Sequence, residues 1–235
     1  YSILKHLNSP EVNIMTIEDP VEYRLPGINQ VQVNADIGLD FATALRSFLR
    51  QDPNIILIGE IRDMETARIA SQAALTGHLV LATMHTNSAL QAVTRLVEIG
   101  VEPFLVAPSI IGVTAQRLVR KICEHCKEKY RLSPEETGRY FKNVETREVY
   151  FYRGRGCPQC RQTGYSGRIA IHEMLIMSEQ VRTMVAKGES IMDIEREAMI
   201  GGFKTMRYDG IKKALRGQTT ISEIERATVA DKELS

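Results

Sequence analysis

The stretch Asn54–Asp63, NIILIGEIRD, decides how this chain is read. An unbroken apolar run, Ile55–Ile58, leads into Gly59 and then onto the carboxylate Glu60, with Arg62 and Asp63 directly behind. By length and composition the run is a buried strand. An apolar strand that stops at a carboxylate looks like one half of a nucleotide-hydrolysing arrangement. The other half is a glycine-rich loop carrying a lysine, whose backbone amides cradle phosphates. No such loop occurs in the 235 residues.

Working outward, the flanks alternate between strand and helix. IMTIE, residues 14–18, is a short apolar run cut off at Asp19-Pro20, and VQV near residue 32 is a second short strand. Asp40 caps a helix that places Phe41, Leu45, Phe48 and Leu49 on one face and ends at Asp52-Pro53. Asp63 caps the next helix, METARIASQAALT, which Gly77 closes. HLVLATMH is another strand, and SALQAVTRLVEI another helix, opened near Asn87 and closed by Gly100. YSILKHL at the front reads as the end of a helix. Strands that alternate with helices predict a parallel sheet with crossover helices.

From about residue 103 the pattern changes. PFLVAPSIIGVTAQRLVRKIC is expected to be helical, with a break at Pro108. Residues 123–175 hold short strands, EVYFY and RIAIHEMLI, and a helix around 133–142. Ser133, Pro134 and Glu136 give that helix a capping box with proline at its first position. The last stretch reads as short helices separated by glycine. The domains are expected at 1–118, 119–176 and 177–235.

Composition sets bounds on function. Apolar residues are 43% and charged residues 25%, as in ordinary globular proteins, and the net charge of +1 argues against a purely electrostatic nucleic-acid binder. No apolar run approaches the roughly 18 residues of a membrane span. The opening residues lack the charged-then-apolar pattern of an export signal, and a chain that opens on Tyr1 rather than Met reads as a fragment.

Glu18 and Glu60 each end a strand, and ligands of parallel sheets bind at those carboxyl ends. One acid could act on a water and the other on Mg2+; the plainer alternative is that both cap helices or face solvent. Arg46 and Arg50, four apart on one helix, share a face and suit phosphate or an intersubunit contact, unless they are simply solvated. His78 opens its strand and His85 ends it; seven apart, they face opposite sides, and His85 is the one at the carboxyl end. Cys123, Cys126, Cys157 and Cys160 form two C-x2-C turns separated by 30 residues. That is the ligand set of a structural tetrahedral Zn2+ site, with a redox dithiol pair or unligated cysteines as alternatives. A basic zinc ribbon that binds nucleic acid is a further reading, diluted by Glu124, Glu128, Glu135 and Glu136.

Three stretches, TIEDPVEYRLPGINQVQVN, ALRSFLRQDPNIILIGEIRDMETARIASQAALTGHLVLATMHTNSA and VTAQRLVRKICEHCK, resemble the secretion ATPases. More narrowly, they resemble those that power type II secretion and type IV pilus assembly. The resemblance extends through GCPQCRQTGYSGR and YDGIKKALRGQTTISEIERAT, over essentially the whole chain. It implies a RecA-like α/β fold followed by a small zinc-binding subdomain and a carboxyl-terminal helical region. TIEDPVEY resembles the family's aspartate box, IILIGEIRD its Walker B motif and TGHLVLATMHTN its histidine box. By the same resemblance Glu18 and Glu60 are the catalytic and metal-associated carboxylates, and His85 senses or positions the γ-phosphate. Arg46, Arg50 and Arg62 serve nucleotide handling or subunit coupling, and the four cysteines hold Zn2+.

The family's Walker A loop is expected just before Tyr1, so the chain as given is not expected to bind or hydrolyse ATP normally. The whole protein is then expected to be a cytoplasmic homo-hexamer using ATP and Mg2+, held at the bacterial inner membrane by platform and cytoplasmic-domain proteins, without direct nucleic-acid contact. The cysteines favour assembly or secretion over retraction, and TGYSGR and GGFKTMRYDG lean toward type II secretion. The alternatives are a zinc-ribbon nucleic-acid-binding module and a RecA-like ATPase acting on DNA. Neither accounts for both the acid-ended strands and the four cysteines.

Overall fold

The computed structural model describes residues 1–141 and 149–228. Along the chain, helix α1 (Ser2–Leu7) precedes strands β1 (Ile14–Glu18) and β2 (Asn29–Gln32). Then come α2 (Phe41–Phe48), β3 (Ile55–Ile58), α3 (Met64–Leu75), β4 (Leu79–Ala82), α4 (Ala89–Glu98) and α5 (Pro103–Ser109). Next follow β5 (Gly112–Ile122), β6 (Lys127–Arg131), α6 (Pro134–Tyr140), β7 (Tyr150–Gly154) and β8 (Tyr165–Ile176). The last helices are α7 (Glu179–Lys187), α8 (Ile191–Ile200), α9 (Met206–Leu215) and α10 (Ile221–Ala227). Of the expected elements, Lys142 of the capped helix, Glu148 of EVYFY and residues 229–235 lie outside the described residues.

The chain divides into two compact units that alternate along the sequence. The first is Tyr1–Val113 with Leu175–Gly201; the second is Thr114–Met174 with the residues from Gly202 onward.

The first unit is built on an all-parallel sheet in the order β2-β1-β3-β4. The two-residue period of β3 decides what each face buries. Ile56 and Ile58 point with Ile17 into one core, filled by Ala44, Leu45 and Phe48 of α2 and Ala70 and Ala73 of α3. Ile55 points the other way, to Ile14, Leu25 and Leu4 of α1. Helices on a parallel sheet need firm starts, and side chains supply them. Asp40 accepts from Thr43 N–H at 2.7 Å, and Asp63 accepts from both Thr66 N–H and Thr66 Oγ1 at 2.8 Å. Gly77, with φ of 103°, takes the left-handed turn that ends α3. Later in the same unit, Arg182 of α7 donates to the carbonyls of Ala107 and Pro108 at 2.8 and 3.0 Å. Those carbonyls end α5 and have no helical partner of their own.

The expected helix over residues 103–123 is half right. It stops at Ser109, and Gly112–Ile122 is strand, paired with β8. The misleading feature is the apolar spacing: Ile111, Ala115, Leu118, Val119 and Ile122 fall at helical intervals. The true period is two. Val113, Ala115, Arg117, Val119 and Lys121 are the more covered positions, and Gln116, Leu118 and Arg120 are exposed. Two inward positions carry basic residues, which hides the alternation.

In the second unit β6 and β7 form an antiparallel pair, in which Phe151 is fully buried beside Tyr140 and Phe141. The capping box of α6 forms: Glu136 N–H donates to Ser133 Oγ and Ser133 N–H donates back to Glu136 Oε2. A buried carboxylate, Glu223 of α10, ties the unit together. It accepts from Arg120 N–H at 2.8 Å, from the Arg120 guanidinium at 2.7 Å and from Arg226 at 2.9 Å. Burial works against its charge, but the hydrogen bonds from Arg226 and Arg120 outweigh that and bring its pKa down to about 2.

Candidate functional site

Parallel pairing sets Ile17 opposite Ile58, so β1 and β3 end side by side, on Glu18 and on Gly59-Glu60. Gly59 N–H donates to Ile17 O at 2.7 Å and carries the pairing to the strand ends. One strand further, Ile61 N–H donates to Thr83 O at 2.9 Å, and Thr83 Oγ1 donates to Gly59 O. The segment after β4, which carries His85, is thereby fastened beside Glu60.

Glu60 is buried at 9% exposure although it is charged. Its Oε1 is ion-paired with Arg62. Its Oε2 lies 3.2 Å from His85 Nε2, and His85 is otherwise 90% exposed. The Arg62 guanidinium beside Glu60 holds its carboxyl below the usual carboxylate range, against the opposing pull of burial. Oε2 is buried and makes no aligned hydrogen bond among the described residues, only the ion-pair contact with His85. A buried anionic oxygen held only by such a contact is suited to a cation, so the residues present fit a hard divalent ion such as Mg2+. Glu18 is buried as well, at 5% exposure, and accepts from Thr16 Oγ1, Gln30 Nε2 and the Tyr1 hydroxyl.

The other expected residues are placed as follows. Glu18, Glu60, Arg62 and His85 gather at the carboxyl edge of the sheet. Arg46 does not join them; it is ion-paired with Glu65 of α3, and both are about half exposed. Arg50 lies past the end of α2, in the turn after Leu49, and donates to Ser47 Oγ at 3.3 Å. The two arginines therefore do not share a regular helix face. The strand expected from His78 to His85 is only Leu79–Ala82, with both histidines outside it. His78 Nδ1 lies 3.0 Å from Ala73 O and 3.2 Å from Thr76 Oγ1, a local contact at the end of α3.

Thr16, Gln30 and Tyr1 were not singled out from sequence. Thr16 had a legible signal, since it stands two before Glu18 on one strand and so shares its face. Gln30 and Tyr1 had none, because only the sheet order brings them to Glu18.

The second unit holds the cysteines. Cys123 follows β5, Cys126 precedes β6, Cys157 caps the single 3-10 turn Pro158–Cys160, and Cys160 is its last residue. All four Sγ atoms lie within 4.8 Å of one another, with Cys123–Cys157 and Cys126–Cys160 at 3.8 Å and Cys157–Cys160 at 3.7 Å. A tetrahedron with metal–sulfur bonds of about 2.3 Å has edges of about 3.8 Å, so the donor set can hold a metal ion. Burial raises the Cys126 thiol to about 12. At Cys160 burial acts in the same sense, but the N–H groups of Cys157 and Gly164, each 3.2 Å from Sγ, help bring it down to about 6. Backbone donors aimed at a sulfur favour its thiolate, the form that binds metal.

A parallel sheet with its helices, two acids at adjacent strand ends and a histidine on the second of them make an α/β unit of the type that binds its ligand at the carboxyl ends of its strands. Comparison with known proteins gives the family. The Type II/IV secretion system protein family matches residues 1–226, and the chain belongs to that family.

It is 54% identical over 230 residues to the type IV pilus assembly ATPase PilB of Thermus thermophilus, covering 97% of this chain and 26% of that protein. It is 53% identical over 228 residues to the type II secretion system protein HxcR of Pseudomonas aeruginosa, covering 97% of this chain and 45% of that one. The fold is similar to the pilus retraction motor PilT with bound ADP, at a TM-score of 0.72 and 27% identity, over 99% of this chain and 57% of that one. The chain thus spans between a quarter and a half of the two curated relatives named. No helix among the described residues is long and apolar enough to cross a membrane.

Proposed function

We propose that this chain is the carboxyl-terminal catalytic part of a hexameric ATPase that powers type II protein secretion or type IV pilus assembly. The observation that carries the reading is Glu60: a buried strand-end carboxylate flanked by Arg62 and His85, whose Oε2 makes no aligned hydrogen bond among the described residues. Glu60 would hold Mg2+, which when bound supplies positive charge against the nucleotide's phosphates. Arg62 orients Glu60 and keeps it ionised. Glu18 accepts the proton of the attacking water. His85, exposed beyond its contact with Glu60, is free to donate to the γ-phosphate. Arg46 and Arg50, set away from the carboxylates, serve coupling between subunits.

The four cysteines hold a structural Zn2+ in the second unit, and the labour is divided among an ATPase core over residues 1–118, a zinc subdomain over 119–176 and a helical region over 177–235, of which α7 and α8 belong with the first unit and α9 and α10 with the second. The hexamer works in the cytoplasm at the inner membrane, docked to platform and cytoplasmic-domain proteins of its machine.

The test is Glu60→Gln in a chain that also carries the upstream nucleotide-binding loop. ATP turnover should vanish while ATP binding persists. Unchanged turnover would remove Glu60 from the mechanism.

A further inference from the structure

Glu18 is gripped at both oxygens, and each oxygen leads through one side chain to the same loop. Oε1 accepts from Thr16 Oγ1 at 2.6 Å and from Gln30 Nε2 at 3.1 Å. Oε2 accepts from the Tyr1 hydroxyl. Gln30 Nε2 also donates to Tyr23 O at 3.2 Å, and Gln30 Oε1 accepts Leu25 N–H at 2.6 Å, which settles which way the amide is turned. The Tyr1 hydroxyl accepts Glu22 N–H at 3.0 Å, and its ring lies against Tyr23 with centroids 4.4 Å apart. Among the described residues, the loop that follows β1 is therefore tied to the carboxylate at residues 22, 23 and 25 through two side chains. Glu22, Tyr23 and Arg24 are exposed, whereas Glu18 is not.

An ionised carboxylate has about four lone-pair sites, and its terminal torsion is otherwise broad. Three donors fill three sites, two on Oε1 and one on Oε2. We infer that Gln30 and Tyr1 are positioning residues that couple the loop after β1 to Glu18 and leave the second lone pair of Oε2 as the one that faces the attacking water. This rests on the reading of Glu18 as the base. A shift of the loop at residues 22–25 would turn the carboxylate, so the loop's exposed face is a place from which turnover can be set.

The experiment measures ATP turnover against pH in a chain carrying the upstream loop, for Gln30→Glu, Gln30→Met and Glu18→Gln, with thermal unfolding of each. Gln30→Glu keeps an acceptor for Leu25 N–H but sets a second carboxylate against Glu18. The expected result is a fall in kcat of about tenfold or more with KM changed by less than about twofold. The acid limb of the kcat profile should also move to higher pH, because a neighbouring like charge disfavours ionisation. Gln30→Met, which adds no charge, should lower kcat with a smaller movement of the limb, and it carries the test if Gln30→Glu does not fold. Lost turnover with a lowered Tm and an unmoved acid limb would make Gln30 merely structural and overturn the inference. If Glu18→Gln abolishes turnover while neither Gln30 variant alters kcat or the limb, the inference alone fails. If Glu18→Gln turns over normally, the base assignment fails, and the inference with it.

Discussion

Gly59 and Glu18 approach so closely that a methyl group on Gly59 would crowd the backbone of the neighbouring strand. A Cβ built on Gly59 would lie 3.2 Å from Glu18 Cα and 3.2 Å from Ile17 O, both backbone atoms that cannot swing aside. Glycine is needed here for space, so that β1 and β3 can deliver their acids side by side. Gly59→Ala should cost about 1–3 kcal/mol, as overpacking of a filled interior does, measured by denaturant unfolding. In a chain competent for turnover it should lower kcat further than the stability loss accounts for. A stable, fully active Gly59→Ala protein would show that the strand ends can part without consequence.

The two histidines should separate cleanly. Among the described residues the His78 ring meets Ala73 and Thr76, so His78→Ala should lower stability by about 1 kcal/mol and leave turnover as it was. His85 touches Glu60 and little else, so His85→Ala should reduce turnover with Tm nearly unchanged. The reverse pattern would place the working histidine at the start of β4 rather than after its end.

Metal analysis of the purified chain should give about one zinc per molecule, and a chelator should lower the unfolding midpoint. Cys160→Ser should weaken retention, because Cys160 receives the two backbone donors that favour a thiolate. A protein with no bound metal and no response to chelation would leave the four thiols as a packed cluster only.

Acid should loosen the second unit before neutral pH does anything to it. Glu223 has its pKa lowered in the folded chain, from an ordinary 4.5 to about 2. Its contribution is therefore fully present above pH 4.5 and is lost as pH falls from there toward 2. Allowing for solvent around the half-exposed arginines, that contribution is on the order of 2 kcal/mol. Glu223→Gln should remove this part of the acid sensitivity and lower stability at pH 7. An unchanged slope of stability with pH between about 2 and 4.5 would mean that other carboxyl groups set it.

Much of the sheet was legible because its strands announce themselves locally. IMTIE, IILIG and HLVLA are short, apolar and bounded, and Asp40, Asp63 and Ser133 cap the helices that sequence assigns to them. The strand ends carrying Glu18 and Glu60 followed from that reading. Illegible parts were those fixed by pairing over distance. Arg117 and Lys121 on the covered side of β5 disguised a strand as a helix. Arg50 falls beyond the helix that its spacing from Arg46 suggests, and the strand between the histidines is shorter at both ends than its sequence suggests. Gln30 meets Glu18 only because β2 lies beside β1, and Arg120 meets Glu223 across 103 residues of chain. Chemistry of that kind leaves no local trace.

The alternation of the two units bears on how the molecule can be cut. The chain passes from one unit to the other after Val113, Met174 and Gly201, so neither unit is a single length of sequence. A truncation that keeps only the sheet and its first helices discards α7, and with it the Arg182 side chain that closes the end of α5. A deletion of the cysteine region must instead rejoin the chain near Leu175 to keep the first unit whole. Each unit is in this sense held closed by a stretch that arrives only after the other has been started, so removing either one by trimming an end damages both.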